Sequence, residues 1–242
     1  MTIANDTSDF TNKYVYHFQF QNGVQKKFEI NLHPDKYEII RQEQSVPADW
    51  TRLDESKCSN CPLKSETTPH CPVAVNLSDM VSTFSDHLSF EKINIRVESA
   101  NRDYVKKTDL QDGLQSIYGL IMATSGCPNM NFLKPMAHFH LPFSQFNETV
   151  ARTISIYLLH QHYLLEQGNL SHVNLESLKN SYIQVNLVNQ GMLNRFNQLK
   201  MKDSSKNGVA ILDAFATLVP MELSDGFKIF EYLFNQQDSH KL

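Results

Sequence analysis

Apolar and polar side chains alternate over residues 13–20 and again over 24–32, where Phe28, Ile30 and Leu32 fall on every second position. Gln21-Asn22-Gly23 separates the two runs, and Asn-Gly tolerates the positive φ of a tight turn. The pattern predicts a β-hairpin, ended by His33-Pro34. Ile93, Ile95 and Val97 alternate within 91–99 and predict a third strand, with Tyr104-Val105 as a short fourth.

Elsewhere the period lengthens. Val73, Leu77, Met80, Val81, Phe84 and Leu88 share one helical face, so a helix leaves Cys71-Pro72 with proline in its first turn. Thr108-x-x-Gln111 has the form of a capping box. It opens an apolar stripe of Leu110, Leu114, Ile117, Tyr118, Ile121 and Met122 that stops at Ser125-Gly126. Further helices are expected at about 146–166, ended by Gly168, at about 175–199 and 209–218, and at about 222–234 after Pro220.

The fold class is therefore α+β. An N-terminal β-hairpin and small antiparallel sheet, with one helix and a Cys-rich loop, precede a mainly helical C-terminal part. The division falls between an α+β part, 1–107, containing the loop 45–72, and a helical part, 108–242; one continuous domain is compatible with the same pattern. The loop holds Pro47, Pro62, Pro69 and the only tryptophan, Trp50, and has little periodicity, so something must organise it.

Composition narrows the class. With 242 residues the chain can bury a core without a metal, and fifteen Phe and nine Tyr supply much of the packing. A net charge of −4 leaves no electrostatic footprint for nucleic acid or an anionic membrane, and short basic clusters such as Lys26-Lys27 and Lys106-Lys107 read as solvated faces. The first ten residues lack the basic and apolar regions of a secretory signal, so cytoplasmic residence is the expectation. The longest nearly apolar run, 154–165, is shorter than the roughly 20 residues of a membrane span and carries two histidines. Partners and oligomeric state leave no signature.

All four cysteines fall in one pattern: Cys58-x2-Cys61-Pro62, then Cys71-Pro72, then the distant Cys127-Pro128. In a reducing compartment this arrangement points to metal or redox work rather than disulfides. Two cysteines separated by two residues can direct both sulfurs to one ion across a turn, Cys71 can return from the loop as a third ligand, and the fold must bring in Cys127. A closed four-thiolate set suits structural zinc, with His70 as an alternative fourth ligand. The repeated Cys-Pro step also occurs in iron–sulfur runs, so a cluster on the same cysteines is the competing cofactor, implying an oxidoreductase or redox sensor. A redox-active Cys58–Cys61 dithiol lacks the βαβ context of a thioredoxin, and unligated thiols buried as small hydrophobes are the bland alternative.

A second candidate is Met136-Ala-His-Phe-His140. On an extended chain, His138 and His140 would share one side, where they could serve a second metal site or the second shell of a centre at Cys127. Ser125-Gly126-Cys127 with His138 as base is the covalent-enzyme alternative. A packing segment whose histidines bond to backbone explains the same residues. No Gly-rich phosphate loop, Gly-x-Ser-x-Gly or His-Glu-x-x-His occurs. The reading is an intracellular cysteine-ligated metal-binding protein with a binding or regulatory role.

Overall fold

The computed structural model describes residues 12–41, 46–171 and 173–234. The N-terminal segment read for a targeting signal, and Ser45 at the start of the Cys-rich loop, lie outside the described residues.

Strands β1 (Asn12–Phe20) and β2 (Gln25–Leu32) form the expected hairpin, in a register that sets Tyr16 opposite Phe28. Gly23 takes φ +86° at its turn, a conformation that excludes most side chains. β3 (Lys92–Glu98) pairs with β1, and β4 (Asp103–Asp109), longer than the expected Tyr104-Val105, pairs with β3. The sheet order is β2-β1-β3-β4, antiparallel throughout. Alternation separates its faces: Tyr14, Tyr16, Phe18, Ile93, Ile95 and Val97 point inward, while Lys13, Lys27 and Glu29 form ion pairs outside.

Helices α1 (Pro72–Thr83) and α2 (Leu110–Ala123) cover the inner face. Gly113 lets α2 lie close to the sheet, since a Cβ there would stand 3.0 Å from Phe18, Ile93 and Ile95. The expected capping box at Thr108 does not form. Thr108 stays in β4 with its hydroxyl donating to Asp112, and the first helical N–H groups bond instead to the carbonyls of Glu91 and Ser89. Strand pairing claims Thr108 before the helix can use it.

Among the described residues five more helices follow: α3 (Lys134–His138), α4 (Phe146–Glu166), α5 (Glu176–Asn197), α6 (Ser204–Ser224) and α7 (Glu231–Phe234). α6 runs through Pro220, so the helix expected at 209–218 continues to Ser224, and of the one expected at 222–234 only a 3-10 turn at Lys228–Phe230 and the short α7 remain separate. An interior proline costs about 3 kcal/mol. Here α6 packs on both α5 and α2, burying Val209, Ala216 and Val219, and this burial outweighs the break. One continuous hydrophobic cluster runs from Tyr16 and Ile95 through Tyr118 to Phe196 and Val219, so sheet and helices share a core. Among the described residues no helix is long and apolar enough to cross a membrane.

Candidate metal centre

The loop between β2 and α1 contains two short 3-10 turns, Asp49–Thr51 and Leu53–Ser56. Its ends are laced together by Leu53 N–H to Pro69 O (2.8 Å) and Cys71 N–H to Thr51 O (2.7 Å). Trp50 packs edge-on against Phe196 of α5. The main organiser is Arg195 on α5, only 2% exposed, whose guanidinium donates to the carbonyls of Trp50 (2.8 Å), Arg52 (2.7 Å) and Leu53 (3.0 Å). One buried cation thus satisfies three loop carbonyls, while its Nε has no partner among the described residues.

Cys58 and Cys61 bracket a turn closed by Cys61 N–H to Cys58 O (3.0 Å). Asn60 at its centre is held from two sides: its amide donates to the backbone (3.0 Å) and side chain (2.9 Å) oxygens of Gln184 on α5, and its carbonyl accepts from Asn129 (3.1 Å). The back of the turn rests on α5 at Gly191, where an added Cβ would fall 2.3 Å from Cys58 Sγ. Only the absence of a side chain at Gly191 lets Cys58 sit there.

Cys71 and Cys127 occupy equivalent local positions. Each immediately precedes a helical turn that opens on proline, α1 in one case and the 3-10 turn Pro128–Leu133 in the other. Proline at the first helical position leaves no N–H to satisfy, and the free N–H groups beyond it reach the sulfur. Val73 and Ala74 donate to Cys71, and Asn129 donates to Cys127. Gly126, at φ +82°, redirects the chain from the end of α2 into Cys127.

The four free thiols meet electrostatically. Burial pushes Cys58 up to about 11, Cys71 and Cys61 raise it further, and Arg195 opposes them. Burial raises Cys71 as well, against the N–H groups of Ala74 and Val73 and the charge of Arg195. Cys127 is pushed up to about 12, chiefly by burial, with Cys71, Cys58 and Cys61 all contributing as neighbours. Cys127 therefore lies within electrostatic range of the other three, 56 or more positions away in sequence. As the side chains stand, no three His, Cys, Asp or Glu among the described residues are arranged to hold an ion.

The histidines are placed differently. His70 pairs through Nδ1 with the Thr51 hydroxyl (2.8 Å), and because Thr51 donates to Ala48 O, His70 is the donor. The segment carrying His138 and His140 is helical through His138 rather than extended, so the two rings take different partners. His138 packs on Tyr37 and Phe139. His140 lies against Tyr14 and is hydrogen-bonded through Nε2 to the Tyr16 hydroxyl, which also bonds Ser116 (3.1 Å). Burial, with the nearby Arg152 charge, pulls His140 down to about 3 and keeps it neutral. No hydrogen bond joins either ring to Cys127 among the described residues.

Arg195, Gly191, Asn60 and Asn129 escape a reading of the sequence alone, since each acts on a partner about 70 or more positions away. The one local hint is Gly191, an isolated glycine inside a helical pattern.

No curated protein matches the chain, and no solved structure does. One family matches over residues 14–235, covering the sheet, all four cysteines and the helices. The chain therefore belongs to the DUF6901 family, a domain of unknown function.

Proposed function

We propose that the chain is a metal-binding protein of a binding or regulatory kind, in which Cys58, Cys61, Cys71 and Cys127 form a closed four-thiolate zinc site. The observation that carries this reading is the gathering of all four cysteines, from three separate segments, within electrostatic reach of one another and beside a buried arginine. Buried thiols crowded together are costly to ionise, and a divalent ion removes that cost by replacing their protons. Arg195 offsets part of the net negative charge that four thiolates leave around Zn²⁺. The sulfurs must turn inward to reach the roughly 2.3 Å of a zinc–thiolate bond, a movement of side chains on a backbone already pinned by Asn60, Asn129 and Arg195. With four protein ligands the ion has no open position, so it staples the loop to α2 and α5 without performing chemistry. Cytoplasmic residence, where thiols stay reduced, belongs to the same proposal.

An iron–sulfur cluster is the second reading. It is favoured by the N–H groups of Val73, Ala74 and Asn129 directed at Cys71 and Cys127, since such bonds tune cluster potentials. Anaerobic purification followed by elemental analysis and a visible spectrum separates the two. A colourless protein with about one zinc per chain supports the staple, and a brown protein with iron and labile sulfide supports the cluster. A protein with neither metal at stoichiometric level defeats both.

A further inference from the structure

A cavity of about 130 Å³ is walled by α2, α4, α5, α6 and the segment 130–144, and no cysteine lines it. A cavity of roughly 150 Å³ accommodates a benzene-sized molecule. Its walls are mostly apolar, with Leu120, Met130, Leu133, Met136, Leu212 and Phe215 prominent.

Two polar side chains on its lining stand out: Asn189, whose amide is unpaired among the described residues, and Arg152, which has no ion-pair partner among them. Asn189 on α5 is 1% exposed, and both its amide nitrogen and its amide oxygen lack a hydrogen-bond partner among the described residues. A buried polar group left unpaired destabilises the folded state, because it has lost its water without gaining a partner. Arg152 on α4 borders both this cavity and an open surface groove beside Tyr104, with His140 and Leu141 shared between the two. Its guanidinium donates to the carbonyls of Met136 (3.0 Å) and Phe139, but no carboxylate pairs with it among the described residues. Glu148, one turn earlier on α4, acts on this charge through space without forming an ion pair, so the guanidinium remains open to a carboxylate.

We propose that this cavity binds a small hydroxy acid: an apolar body among the methionines and leucines, a carboxylate on Arg152 at the mouth, and a hydroxyl on Asn189 inside. The carboxylate gives Arg152 the direct ionic partner it does not have among the described residues. A hydroxyl both donates and accepts, and so answers both unpaired atoms of one amide. The site is separate from the thiols, and its test does not depend on whether metal is present.

The probes are the three ring isomers of hydroxybenzoate, with benzoate as the analogue lacking the hydroxyl, titrated calorimetrically into the full chain. At least one isomer is expected to bind saturably and about tenfold or more tighter than benzoate. Asn189→Leu should erase that advantage while raising the melting temperature of the unliganded protein, since it removes two unpaired polar atoms. Arg152→Gln should weaken every carboxylate by about tenfold or more. If no isomer binds, if the hydroxyl advantage survives Asn189→Leu, or if that variant melts lower, Asn189 serves the fold or a bound water and the proposal is overturned.

Discussion

Residue type and spacing made the cysteines legible, because few side chains recur as Cys-x2-Cys without a chemical reason. The residues that position them carry no such mark. Arg195 reaches carbonyls 142 to 145 positions away, and nothing local distinguishes it from a surface arginine on an amphipathic helix. Replacing it with methionine leaves three buried carbonyls without donors, so Arg195→Met should lose about 3 kcal/mol or more in denaturant unfolding. Gly191→Ala gives a sharper contrast. Alanine in a helix interior ordinarily stabilises by about 0.5–1 kcal/mol, but here the new methyl meets Cys58 Sγ at 2.3 Å. The expected outcome is a lower melting temperature, by about 1–3 kcal/mol of stability, together with loss of metal. His140 sets a pH dependence. Its folded pKa near 3 lies below the roughly 6.5 of an unfolded histidine, so between these values the unfolded chain binds the extra proton. Stability from the buried neutral ring is complete above about pH 6.5 and falls as pH drops towards 3. His140→Phe should flatten the slope of stability against pH between about 4 and 6 relative to wild type.

Among the elements, the strands and the long helices follow their periodicity, and the departures share one cause. Thr108 carries a helix-capping signal but is taken by pairing with Ile93, and Pro220 carries a break signal but is held inside α6 by packing on two helices. Both signals are local and worth about 1–3 kcal/mol, and long-range contacts exceed them. The Cys-rich loop is the opposite case. Its absence of pattern indicated that some agent must order it, and the structure supplies part of that agent in Arg195, Asn60 and Asn129. The ion is the proposed remainder. Treatment with a strong chelator should therefore make residues 46–71 the first site of limited proteolysis while far-ultraviolet circular dichroism stays largely unchanged. Cleavage elsewhere first, or no change in cleavage, would count against the loop as the element the metal holds.

For the whole molecule, the α+β order was readable along the chain, but the unity of its core was not. A boundary near residue 107 marks the change from strands to helices, yet Tyr16, Tyr118 and Phe196 belong to one hydrophobic cluster. The thiols sit where that cluster meets the loop, drawing on the loop itself, the start of α1 and the end of α2, with α5 behind them. A metal there would join segments that the sequence keeps apart, and its fourth ligand decides whether the junction exists. The most direct measurement is the metal content of wild type, Cys127→Ser and His70→Ala, each purified anaerobically and analysed for zinc and iron. The account predicts about one zinc per chain in wild type and in His70→Ala, and loss of most of it in Cys127→Ser. Full metal in Cys127→Ser, with loss in His70→Ala, would contradict it.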